Sequence, residues 1–124
     1  MTRAKTRGNG REKNKMNTKY PKRIQTLIDH LRKHDPERIY LFGSWARGEG
    51  DELSDVDLVM IMESDRPFLE RSLNVMKLLP VHLGAIDLMV YTPEEFSQML
   101  LDGNVFAEML LEEGEVIYGR SSEN

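Results

Sequence analysis

Cysteine is missing from all 124 residues, which excludes disulfide stapling and thiolate metal sites and gives no sign of an oxidising compartment. Long apolar runs are missing as well. None reaches the roughly 18 residues that a membrane helix needs, and the basic N-terminus lacks the apolar stretch of a signal peptide. The expectation is a soluble, cytoplasmic protein with no membrane contact. Histidine is scarce, with three in the chain. His30 and His34 stand four apart on a predicted helix, a metal-capable spacing, but no Glu-x-x-His partner accompanies them, so solvated side chains are expected. His82 lies in a short connection and has no evident role.

What is present is unevenly charged. Residues 1 to 23 carry nine Lys and Arg and one acid, Glu12, a net of +8 within a chain of net −4, so the remainder carries −12. This block pattern describes a basic tail, residues 1–20, on an acidic domain, residues 21–119, with a short C-terminal tail, residues 120–124. The basic tail has too little apolar content to fold alone, and nucleic-acid contact is confined to it, as salt-sensitive attraction without sequence information. Translation from Met16 would make the first fifteen residues an extension without a role. The length fits one domain with one modest core.

From Pro21 the apolar residues Ile24, Leu27, Ile28 and Leu31 recur at helical spacing, and Asp35-Pro36 ends that helix near His34. Arg38 to Phe42 reads as a strand running into the breaker pair Gly43-Ser44. Asp55 to Met62 reads as a buried strand with two aspartates at its start. A helix opening at Pro67 and ending at Pro80 follows, and Gly84 to Tyr91 is a third strand. Thr92-Pro93-Glu94-Glu95 is a capping box with proline at the first helical position, starting a helix to about Leu101. Asn104 caps another helix ending at Gly114, and Glu115 to Tyr118 adds a short strand. Val105, Phe106, Met109 and Leu110 serve either the core or a partner-facing surface.

Asp55 and Asp57 are two apart on a strand, so both carboxylates project to one side and make a divalent-metal clamp. Magnesium takes one or two protein carboxylates and fills its octahedron with waters and substrate phosphates, which suits a nucleoside triphosphate; manganese accepts the same ligands. Asp87 interrupts an apolar strand, opposite in facing to Ile86 and Leu88. Beside the double-Asp strand it would hold a second metal and draw the proton from an attacking hydroxyl. At Gly43-Ser44 the missing Cβ lets phosphate approach backbone N–H groups, Ser44 adds a hydroxyl, and a helix starting at Ser44 to Ala46 would aim its N-terminus at the polyphosphate, with Arg47 nearby. Arg47 has a plainer use, pairing with Glu49, Asp51 or Glu52. Trp45 either stacks on a base or seals the loop onto the core.

Gly43-Ser44, ten intervening residues and Asp55-Val56-Asp57 resemble the signature of the polymerase-β-like nucleotidyltransferases. Gly-Ser-Trp-Ala-Arg-Gly followed by Ser-Asp-Val-Asp-Leu-Val resembles their minimal nucleotidyltransferase (MNT) branch. The order of elements matches over about residues 21 to 91. The resemblance implies an α/β (α+β) fold, a mixed sheet with helices packed on it, and magnesium-dependent transfer of AMP from ATP to a hydroxyl. It further implies an antitoxin that modifies a tyrosine of a HEPN-family toxin, in a hetero-oligomer with it. Asp55 and Asp57 would bind metal, Asp87 would be third ligand and base in a two-metal site, and Gly43, Ser44 and Arg47 would hold the nucleotide. Small size favours a protein acceptor, since little chain remains to bind a small one. Two other functions fit the same residues: a non-catalytic module that masks its partner, and a small-molecule nucleotidyltransferase built from a dimer.

Overall fold

The computed structural model describes residues 20–51 and 54–120. The expectations for most of the basic tail and for the last four residues therefore lie outside the described residues. Among the described residues, eight helices and strands run in the order α1 (Lys22–Leu31), β1 (Arg38–Phe42), β2 (Val56–Ile61), α2 (Phe68–Met76), β3 (Ile86–Tyr91), α3 (Pro93–Leu101), α4 (Val105–Glu113) and β4 (Glu115–Gly119). Single 3-10 turns follow α1 at Arg32–His34 and precede β3 at Val81–Leu83. No helix among the described residues is long and apolar enough to cross a membrane.

The sheet order is β3, β2, β1, β4. β1 pairs antiparallel with β2 and with β4, whereas β2 and β3 are parallel. Parallel neighbours need a long connection, and α2 supplies it. The sheet is mixed, as expected for an α+β fold.

Side-chain alternation splits the strands into two faces. On one, Ile39, Leu41, Val56, Leu58, Met60, Leu88 and Val90 join the apolar stripe of α1, Ile24, Leu27, Ile28 and Leu31, together with Val75 of α2. All four α1 residues are essentially inaccessible, so Leu27→Ala would cost about 2–5 kcal/mol. On the other face Tyr40, Val59 and Ile61 pack against Phe96 of α3 and Ala107 and Leu110 of α4. The helices of this second face cover only one end of the sheet: Val59 and Ile61 are buried, while Asp57 on the same strand is half-exposed and Asp87 is exposed.

The element boundaries differ from the sequence reading in small ways. The α-helical part of α2 ends at Met76, and Lys77 to Leu79 continue as hydrogen-bonded turns to carbonyls of Leu73, Val75 and Met76. β3 starts at Ile86, not Gly84, because Gly84 takes φ 84°, ψ −160°, a conformation reserved for glycine. The capping box is complete: Glu95 N–H donates to the Thr92 hydroxyl oxygen at 3.1 Å and Thr92 N–H donates to the Glu95 carboxylate at 3.0 Å. Asn104 caps α4 through the Ala107 N–H at 2.9 Å. Of the residues left open near the C-terminus, Leu110 is core and Phe106 packs on it, Met109 is half-buried, and Val105 is 79% exposed.

Candidate active site

The parallel ladder pairs Asp57 directly with Asp87, and Val56 with Ile86. Both aspartates occupy odd positions of strands whose even positions face α1, so they share the half-open face. Asp55 lies just before β2 and is exposed. The structure thus brings two of the three predicted carboxylates to neighbouring positions, with the third two residues upstream.

Their electrostatics follow from that placement. The Asp57 carboxyl is raised above its ordinary value of 3.8, first by burial, then by the negative charge of Asp87 and then by that of Asp55. Like charges at one sheet end disfavour ionisation of the most enclosed member, and a cation there would reverse this. The donors are all oxygen, the chemistry of a hard divalent ion. Among the described residues no three His, Cys, Asp or Glu side chains converge into a complete metal cage. The carboxylates fit such an ion as part of a coordination shell, with the remainder left to water and substrate oxygens.

Across the antiparallel ladder Phe42 pairs with Asp57, so the chain leaves β1 beside that carboxylate. A Cβ on Gly43 would lie 2.5 Å from Asp57 Oδ2, and Gly43 has φ 76°. Glycine is needed here for both reasons. After it the backbone makes linked turns, with Ala46 and Arg47 N–H donating to Gly43 O at 3.1 and 3.2 Å and Glu49 N–H to Ser44 O at 2.9 Å. These turns stand where a helix start was expected. Among the described residues, the Ser44 and Trp45 N–H groups enter no backbone hydrogen bond.

Arg47 is exposed and its Nε lies 3.2 Å from Glu49 Oε1, the plainer of its two expected uses. It also lines a small hollow of about 280 Å³ with Phe42, Gly43, Met109 and Glu113. Trp45 seals the loop. A Cβ on Gly50 would collide with its indole ring, and the Arg23 guanidinium carbon lies 5.9 Å from the ring centroid, so Gly50 and Arg23 flank the indole and it packs on the α1 side of the sheet. His30 lies in α1, whereas His34 belongs to the 3-10 turn that follows it.

Sequence reasoning missed two arginines. Arg71 is 7% exposed and forms a two-pronged bond to Glu95, Nη1 to Oε1 at 2.6 Å and Nη2 to Oε2 at 3.0 Å. Arg23 donates to three backbone carbonyls. Neither belongs to a motif; an arginine interrupting a partly apolar helix face was the only signal.

Among known proteins, the family model described as Polymerase beta, Nucleotidyltransferase matches residues 25–123. A protein of Methanocaldococcus jannaschii assigned as a protein adenylyltransferase is 39% identical over 59 residues, 48% of this chain and 54% of that protein. The chain therefore matches about half the length of this curated relative. In structure, the chain is similar to a Sulfolobus solfataricus protein assigned as a nucleotidyltransferase (TM-score 0.55, 17% identity, 91% of this chain and 92% of that one). It is also similar to a chain of a toxin-antitoxin crystal structure with AMP-PNP (TM-score 0.54, 21% identity, 82% of this chain and 76% of that one). At those identities the two structures speak for the fold alone. With the family model spanning most of the described domain and the double-aspartate strand inside it, the chain belongs to the polymerase-beta nucleotidyltransferase family.

Proposed function

We propose that the chain is an antitoxin that transfers AMP from ATP to a hydroxyl, a tyrosine of a HEPN-family toxin, and so neutralises it. The observation that carries this reading is the Asp57–Asp87 pairing across the parallel ladder, with Gly43 lying directly under the Asp57 carboxylate. A protein acceptor is supported by the M. jannaschii relative's assignment.

In this reading Asp55, Asp57 and Asp87 hold magnesium, which supplies positive charge against the triphosphate when bound. The backbone N–H groups of Ser44 and Trp45, with the Ser44 hydroxyl, orient the phosphate oxygens, and Gly43 lets them approach. Asp87 accepts the acceptor's proton as its oxygen attacks the α-phosphorus; the bond to the β-phosphate oxygen breaks and pyrophosphate leaves. Arg47 exchanges Glu49 for the polyphosphate, an inexpensive step because an exposed ion pair contributes only about 0–1 kcal/mol.

The test is incubation of the purified protein with the product of its neighbouring gene, magnesium and α-labelled ATP, beside the double substitution Asp55→Ala, Asp57→Ala. Intact mass is expected to rise by one or more AMP units on the neighbour with the wild type only. A stable complex without transfer from any of the four nucleotides would sink the catalytic reading.

That second outcome belongs to a masking module. Neutralisation unchanged in Asp57→Ala would establish it. Turnover of a free small acceptor without the partner would instead mark a small-molecule transferase.

A further inference from the structure

Arg23 stands in the first turn of α1, on the sheet face opposite the aspartates. Its guanidinium reaches three carbonyls on two separate chain segments: Nε donates to Leu83 O at 2.5 Å, Nη1 to Ser54 O at 2.7 Å and Nη2 to Ala85 O at 2.9 Å. Ser54 immediately precedes Asp55 at the approach to β2. Ala85 lies two residues before Asp87 at the approach to β3, and its carbonyl also accepts the Val56 N–H at 3.1 Å.

Two surroundings fix the group in place. Gly84 has φ 84°, and a Cβ there would lie 2.9 Å from Nη2, so the chain passes the guanidinium with no side chain between them. Trp45 supplies an aromatic ring beside the same cation, linking it to the Gly43–Gly50 turn. The planar fork matches carbonyls in three directions, which the single ammonium of lysine does not reproduce.

The three aspartates repel one another, and β3, which carries Asp87, stands at the edge of the sheet and pairs only with β2 among the described strands. We propose that Arg23 is a positioning residue: by tying Ser54 to Leu83 and Ala85 from behind the sheet, it sets the distance between Asp55-Asp57 and Asp87, and so the geometry in which they grip a divalent cation. This rests on the reading of those aspartates as metal ligands. Arg23 itself touches neither metal nor substrate.

The experiment uses the full chain as wild type, Arg23→Lys and Arg23→Ala, with Mn2+ alone as probe. Free Mn2+ is followed by its electron paramagnetic resonance signal, and nucleotide transfer is measured in parallel against magnesium concentration. Circular dichroism and thermal unfolding check the fold, and Ile28→Val serves as a core variant that lowers stability without touching the clamp. Both Arg23 variants are expected to bind Mn2+ about 10–100-fold more weakly and to need correspondingly more magnesium for half-maximal transfer. Ile28→Val should bind as wild type, and added guanidinium ion should restore Mn2+ binding to Arg23→Ala. Should Arg23→Ala fail to fold, Arg23→Lys, which keeps charge and stem, decides. Wild-type Mn2+ affinity in a folded Arg23→Lys overturns the assignment and leaves the functional reading intact. A wild type that binds no Mn2+ overturns both.

Discussion

The sheet has two ends that treat charge in opposite ways. At the end under α3, Arg71 is buried yet answered by Glu95 through two hydrogen bonds, with Val90 O and Arg66 O taking further guanidinium N–H groups. At the other end Asp57 and Asp87 are ladder partners of the same sign, and burial with these like charges raises the Asp57 carboxyl. The closed end settles its electrostatics within the fold. The open end leaves a negative surplus whose natural complement is a bound cation, which is how a site differs from a staple.

The largest effect expected from breaking this contrast is at the open end. Asp57→Asn should lower nucleotide transfer by about 10²–10³-fold while leaving the melting temperature equal to or above that of wild type, because it relieves repulsion; transfer rate and calorimetry on the same preparation check it. Next comes Gly43→Ala, which places a Cβ against Asp57 Oδ2 at a positive φ. A cost on the order of 1–2 kcal/mol is expected, read by denaturant unfolding, together with loss of transfer.

At the closed end Glu95→Gln keeps an acceptable capping-box residue but removes the charge opposite Arg71. A loss of about 1–2 kcal/mol is expected, smaller than for a fully buried pair since Glu95 is 42% exposed. The sign of its pH dependence is fixed. Bonding to Arg71, ahead of the bond to Thr92, holds the Glu95 carboxyl below its ordinary 4.5. The pair's contribution is therefore full above about pH 4.5 and is lost as pH falls through the lowered folded value. Wild type should lose stability on that acid arm more steeply than Glu95→Gln, by urea unfolding across acidic pH. The smallest effect is at Arg47: Arg47→Gln should change stability by less than about 1 kcal/mol, and a fall in transfer without a change in melting temperature would assign it to nucleotide rather than to Glu49.

Much of the fold was legible because its signals are local. The α1 stripe, the Thr92 capping box and the Asn104 cap each depend on residues within one or two turns, and all were placed correctly. Boundaries moved where local signals were weak, as at Lys77 to Leu79 and at Gly84. The turns after Ser44 took the place of an expected helix because Gly43 and Gly48 take positive φ and Trp45 anchors the loop toward α1. Arg23 and Arg71 escaped notice because their partners lie 31 to 62 and 5 to 24 residues away, beyond any sequence motif.

The sequence by itself determined that Asp55 and Asp57 project to one side, that a glycine and a serine follow the strand before them, and that Asp87 interrupts an apolar strand. These are consequences of two-residue alternation and side-chain size, properties of the chain at short range. Only the tertiary structure decided that Asp87 stands opposite Asp57, that one end of their sheet face stays open, and that Arg23 reaches three carbonyls behind them. Strand register and helix placement are set by burial of apolar faces brought together from distant parts of the chain, and that packing is not encoded at any single position.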